Sequence, residues 1–316
     1  MTKFKRKVVD EFDLIQTYFV RSDEAPGVTT GIGDDGAVLQ PDPGREIIAV
    51  IDTLVEGIHF PDGTDPFDIG YRAVAVNLSD IAAMGGRPRW MTLALTLPSA
   101  EESWVSRFAE GLHTAATEHR VALVGGDTTL GKSLVVSVQL TGDVETGTAI
   151  KRSGAQAGDQ IFVTGTVGDA AAGLELLSAG RPQQYLSSRF LRPNARVDYG
   201  QALTGIATAA IDLSDGLFAD LSKLLTASGV GGVLQIEKLP LSKQLGELFD
   251  LEAQRSFALS GGDDYELCFT APTGSAPKLS GLPVTDIGTV TDDELLVCHL
   301  DGQVVPFEDS GYRHFQ

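Results

Sequence analysis

The chain has 316 residues, 42% of them hydrophobic and 21% charged, with a formal net charge of −19. That length exceeds the usual single domain and predicts two, and no run approaches the roughly 18 uninterrupted apolar residues of a membrane helix. The negative charge argues against nucleic acid and anionic membrane surfaces as partners, and it requires any phosphorylated substrate to be held largely through cations.

The N-terminal stretch Met1 to Lys7 is basic, but Asp10, Glu11 and Asp13 follow it where a signal peptide would turn apolar. Helical periodicity over 10–21 places Phe12, Ile15, Phe19 and Val20 on one side, and it returns over 67–84 and 101–119. Strand-like runs lie at 47–51, 90–97, 121–124 and 134–140. The polar, Gly-containing stretch 151–159 reads as a connection, which divides the chain into domains 1–150 and 151–316. After it the pattern restarts with a strand at 160–164, helices from Asp169 and around 196–203, and strands near 209–212, 233–236 and 265–269. Such alternation defines an α/β protein. Cys268 and Cys298 sit in apolar strand-like runs without a CxxC, as buried thiols of a reducing, cytoplasmic compartment do.

Chemistry concentrates in aspartates set among small residues. GIGDDGAV (31–38) holds adjacent Asp34 and Asp35, which point in different directions from a turn. The apolar strand ending near Ile51 leads into Asp52 and Thr53, a carboxylate and a hydroxyl suited to metal or phosphate. NLSDIAAMGG (77–86) puts Asn77 and Asp80 on one helical face, with Asp80 half-buried and in need of a cation. VGGDTT (124–129) places Asp127 in a Gly-rich turn, and IDLSDGL (211–217) and SGGDDYEL (260–267) add Asp212, Asp215 and Asp263. Each alone serves more often as an Asx-turn or helix N-cap, as Asp215 would before a helix starting at Gly216. Their recurrence at strand ends points to metal, because gathered carboxylates repel one another without it, and hard oxygen ligands select Mg²⁺.

Residues 126–133, GDTTLGKS, match the P-loop spacing to the letter. A P-loop must open a helix, whereas the residues from Leu134 on are β-branched and strand-like. His59 reads equally as a pocket residue or an ordinary core or surface histidine, and His113 and His119 as helix-surface residues. No Gly-x-Ser-x-Gly elbow or reactive-cysteine context is present.

Taken in order, FDLI, GIGDDGAV, DTLVEGIHF, NLSDIAAMGG, GGDTT, KRSGA, DLSDGL, GGDDYEL and the terminal GYRHF resemble the thiamine-monophosphate kinase family, nearly from end to end. That family stands beside aminoimidazole ribonucleotide synthetase, selenophosphate synthetase and a hydrogenase-maturation dehydratase. The resemblance implies a two-domain α/β subunit that forms a homodimer through an N-terminal mixed sheet. It implies ATP as co-substrate, thiamine monophosphate as acceptor, several Mg²⁺ ions and a K⁺ ion. By the same resemblance Asp35, Asp52, Thr53, Asp80, Asp127, Asp212 and Asp215 hold metal. Gly126, Asp127, Arg152 and Ser214 contact ATP, and His59, Asp263 and Tyr312 line the acceptor pocket. Asp52, Asp127 and Arg152 would carry the transfer. The chain departs from the family's pattern at Val50 and Ile51, which lack the hydroxyls common before this aspartate, and at Asp263, where Glu is common. The alternatives are a different acceptor within the same superfamily, or a nucleotide-binding protein without turnover.

Overall fold

The computed structural model describes residues 11–21, 25–275 and 281–307. Two compact units result, one from residues up to 77 together with 88–143, the other from 78–87 together with 144 onward.

The first unit opens with α1 (Glu11–Leu14), which widens into a π-turn over Ile15–Phe19 in place of the continuous α-helix expected over 10–21. The wider ring closes where the Val20 amide donates to Ile15 O at 3.1 Å, and Phe19 is buried beneath it. A two-stranded ribbon of β1 (Val28–Thr30) and β2 (Val38–Leu39) flanks the GIGDDGAV loop. Then follow β3 (Arg45–Val55), α2 (Pro66–Ala83), β4 (Arg87–Leu97), α3 (Glu102–Glu118), β5 (Ala122–Leu130) and β6 (Val135–Glu145). The sheet order is β3-β6-β4-β5, and β4 runs parallel to β5 from Trp90↔Ala122 to Leu97↔Leu130. The GDTTLGKS segment leads into β6, not a helix, which removes the P-loop reading.

Period-two alternation sends Ile48 and Leu54 of β3 into the core, while Ile47, Ala49 and Ile51 are exposed on the opposite face. Under the sheet, α2 and α3 approach until their backbones touch. A Cβ at Gly70 would lie 2.2 Å from Phe108 O, and one at Gly111 would lie 1.9 Å from Phe67 O. Those two glycines let Phe108 and Leu112 be fully buried. The helix α2 ends at Gly85 in the left-handed region (φ 69°), where the Gly86 amide bonds Ile81 O at 2.9 Å.

The second unit contains β7 (Gln160–Thr164), α4 (Asp169–Ser178), α5 (Gln184–Leu191), α6 (Val197–Leu203), β8 (Ala209–Asp212), α7 (Leu217–Ser228) and β9 (Gly231–Gln235). It continues with α8 (Lys243–Leu248), α9 (Leu251–Ser260), β10 (Leu267–Ala271), β11 (Val284–Thr291), β12 (Leu296–Leu300) and β13 (Gln303–Val305). Its sheet has the order β13-β12-β9-β11-β7-β10-β8, antiparallel except for the parallel β12–β9 pair. Leu217, Leu221, Leu224 and Leu225 make one apolar stripe of α7, packed on Ile161, Ile211 and Leu234. Cys268 and Cys298 are buried free thiols on β10 and β12.

Gly111→Ala is expected to push α2 from α3 and cost about 1–3 kcal/mol, the usual range for overpacking. Urea unfolding of the variant, with an unchanged m-value and a lowered midpoint, would show it.

Candidate active site

In the first unit an open pocket of about 750 Å³ is formed by the Gly33–Ala37 loop, the Gly125–Thr128 segment of β5, and Asp13, Gln16 and Phe19 of the N-terminal turn. Asp35 and Asp127 both line it, exposed, with Gly126 between β4 and the open space. Asp127 was expected in a turn after a short strand. It lies instead inside β5, which runs on to Leu130 along the sheet edge. The glycine before it is required, since a Cβ at Gly126 would sit 2.1 Å from Leu93 O. Asp34 is tied into its own turn, its Oδ1 accepting the Asp35 amide at 2.8 Å.

Asp52 and Thr53 also fall within a strand, because β3 continues to Val55 where the sequence suggested an end at Ile51. Asp52 shares the face of Ile48 and Leu54; burial raises its carboxyl pKa, and the Arg72 guanidinium of α2 acts in the opposite direction. Thr53 Oγ1 stands 2.7 Å from Ser137 Oγ. His59 accepts the Val55 amide at Nδ1 (3.0 Å), which puts the proton of a neutral ring on Nε2. Asp52, Thr53 and His59 are not among the residues lining the pocket of Asp35 and Asp127. His113, read as a surface residue, is buried with Nε2 2.9 Å from Tyr18 O, and burial lowers its pKa.

In the second unit, Asp212 ends β8 opposite Leu267 and is buried. The amides of Ser214 and Asp215 both donate to Asp220 Oδ2, at 3.0 and 2.9 Å. The cap of α7 is Gly216, so Asp215 is not its N-cap; its carboxylate pairs with Lys223, which also reaches Asp220 Oδ1 at 2.8 Å. Asp263 joins this group through its amide, 2.9 Å from Ser214 O. Asp212, Ser214, Asp215 and Asp263 therefore belong to one pair of facing turns. Asp80 is half-buried on α2, as expected. Arg152 is exposed, and Ser228 Oγ donates to its carbonyl at 3.2 Å. Tyr312 lies outside the described residues.

Among the described residues no three His, Cys, Asp or Glu side chains form a ready-made metal cage. The donors nevertheless suit Mg²⁺, which takes one or two carboxylates and completes its shell with water and phosphate. Sequence reasoning overlooked Asp13, Gln16, Arg72, Asp220 and Lys223. The first two stand in a segment whose helical periodicity is broken by the π-turn, and Arg72 is disguised by the apolar run around it.

Comparison with known proteins gives the class first. Residues 33–144 match the N-terminal domain of AIR synthase related proteins, and residues 156–301 match the C-terminal domain. The thiamine-monophosphate kinase of Salmonella typhimurium is 46% identical over 321 residues, covering 96% of this chain and 98% of that protein. A crystal structure of thiamine-monophosphate kinase from Stenotrophomonas maltophilia superposes with a TM-score of 0.83 at 44% identity, covering 89% of this chain and 93% of that one. AaThiL complexed with AMPPCP and TMP superposes with a TM-score of 0.79 at 37% identity, covering 90% and 92%. The chain belongs to the thiamine-monophosphate kinase family.

Asp127→Asn is expected to keep the fold and to weaken Mg²⁺–ATP binding by about tenfold or more, about 1.4 kcal/mol. Titration calorimetry beside circular dichroism would read both.

Proposed function

We propose that the chain transfers the γ-phosphoryl group of ATP directly to the phosphate of thiamine monophosphate, giving ADP and thiamine diphosphate. The observation that carries this reading is the pocket where Asp35 and Asp127 stand open beside Gly126, in a chain of this family. The ligands named for AaThiL, AMPPCP and TMP, are an ATP analogue and the acceptor, and they support the same pair of substrates.

The acceptor needs no general base, because a phosphate monoester with a second pKa of about 6 is already largely ionised at neutral pH. What the protein must supply is alignment and charge neutralisation. Asp35, Asp52, Thr53, Asp80, Asp127, Asp212 and Asp215 are the residues that would hold Mg²⁺, with Asp52, Asp127 and Arg152 most directly engaged in the transfer. Bound magnesium supplies the positive charge that offsets the phosphate oxygens. At Val50 and Ile51 only backbone carbonyls could add oxygen ligands. Gly126, which lines the pocket, and the half-buried Ser214 are the proposed ATP contacts, and the exposed Arg152 guanidinium is a fixed counter-charge. His59 and Asp263, the latter shorter than Glu, are the proposed acceptor contacts, with the Asp263 carboxylate suited to a cationic thiazolium. Tyr312, outside the described residues, would be a third acceptor contact, and a K⁺ ion would join the Mg²⁺ ions.

Residues 1–150 would carry metal binding and dimerisation, and 151–316 would complete the ATP and acceptor contacts. A homodimer is supported by the exposed apolar face of β3, where Ile47 and Ile51 are 47% and 66% accessible. A cytoplasmic location agrees with two buried free thiols and with the lack of a helix able to cross a membrane among the described residues.

The test is ATP-dependent formation of thiamine diphosphate, with and without Mg²⁺. Product only with Mg²⁺ is expected; ATP binding without that product would redirect the search to another acceptor. Asp52→Asn is expected to lower kcat by at least about 100-fold, as loss of a ligand to the charge-neutralising metal does, with an unchanged circular dichroism spectrum.

A further inference from the structure

The SGGDDYEL segment holds a second layer that makes none of the contacts assigned above. Asp263 (φ 70°) and Tyr265 (φ 50°) are in the left-handed region, which Asp tolerates and an aromatic residue rarely adopts. The Asp263 and Tyr265 amides donate to Ser214 O and Leu213 O, both at 2.9 Å, and the Tyr265 hydroxyl donates to Asp263 Oδ1 at 3.3 Å. Asp264 and Glu266 are fully buried, and Tyr265 between them is buried as well. Asp264 accepts the amides of Gly168 (2.6 Å) and Ala170 (3.2 Å) at the start of α4. Glu266 accepts Thr164 Oγ1 at 2.7 Å, Arg189 Nη2 at 2.8 Å, and a two-pronged contact from Arg196 through Nε (2.6 Å) and Nη2. Gly165 makes room, since a Cβ there would lie 2.2 Å from Glu266 Oε1.

Buried ion pairs of this kind are weak sources of stability, because desolvation offsets the attraction, but their fork geometry fixes orientation. The two facing turns are held differently. Ser214 and Asp215 have their own anchor in Asp220, whereas the left-handed backbone around Asp263 is clamped from below by Asp264 and Glu266. We propose that Asp264 and Glu266, with Arg189 and Arg196, are positioning residues that hold the Asp263 carboxylate in place for the acceptor without touching either substrate. The inference rests on the reading of Asp263 as an acceptor contact. Loosening the clamp therefore raises the KM for thiamine monophosphate and spares the KM for ATP.

Arg196→Gln, Arg196→Lys, Asp264→Asn and Asp263→Asn would be compared by steady-state kinetics in both substrates, with circular dichroism as the check on folding. Arg196→Gln is expected to raise the acceptor KM about tenfold, with ATP KM and kcat within about twofold, and Arg196→Lys to recover part of the loss. Asp264→Asn carries the same expectation and stands in if Arg196→Gln does not fold. An acceptor KM unchanged in folded Arg196→Gln or Asp264→Asn, while Asp263→Asn raises it, overturns the positioning role and leaves Asp263 as a contact. Parallel rises in both KM values overturn it too, as a general structural effect. An unchanged acceptor KM in Asp263→Asn removes the contact itself and the clamp's purpose with it.

Discussion

Carboxylates that must meet phosphate repel it, and they repel each other, so an acidic phosphoryl-transfer site exists only if its aspartates are fixed in place before any cation arrives. With a net charge of −19, this chain has little background attraction for a nucleotide to draw on. Its structure answers with anchors specific to each turn. Asp34 folds back on the Asp35 amide, Asp220 gathers the amides of Ser214 and Asp215, and Asp264 takes two amides at the start of α4. The residues left to face solvent or substrate are then few and defined. Burial pushes the Asp264 carboxyl up to about 8, against the pull of Arg189 and its two amide donors.

Backbone proximity is the second half of the arrangement. Glycine is used where chains must pass within contact distance: Gly70 and Gly111 between α2 and α3, Gly126 against β4, and Gly262, where a Cβ would lie 2.3 Å from Ser214 O. The last two stand beside proposed ligands. The missing side chains lock one strand or turn against its neighbour.

Much of this was legible in the sequence, and the gaps have physical causes. The long helix α2 follows from its period, and β7 and β8 from their short apolar runs. The motifs pointed to Asp35, Gly126 and Asp127, which one pocket unites. Strand ends were misplaced at Asp52 and Asp127 because polar and glycine residues read as turns, whereas ladder pairing with neighbouring strands carries β3 and β5 through them. The partners of Glu266 could not be read at all. Arg189 and Arg196 precede it by 77 and 70 residues, and only the packing of α5 and α6 near β10 brings them to it. The π-turn is likewise invisible to a 3.6-residue period.

The central claim is that these aspartates act as ligands of a metal shared with phosphate, not as proton acceptors. It is tested most directly by crystals grown with AMPPCP, thiamine monophosphate and Mn²⁺ in place of Mg²⁺, with metal positions taken from anomalous scattering. The account predicts anomalous peaks about 2.0–2.2 Å from carboxylate oxygens of Asp35 and Asp127, each shared with a phosphate oxygen. Phosphates bound with no metal peak at either carboxylate would contradict it.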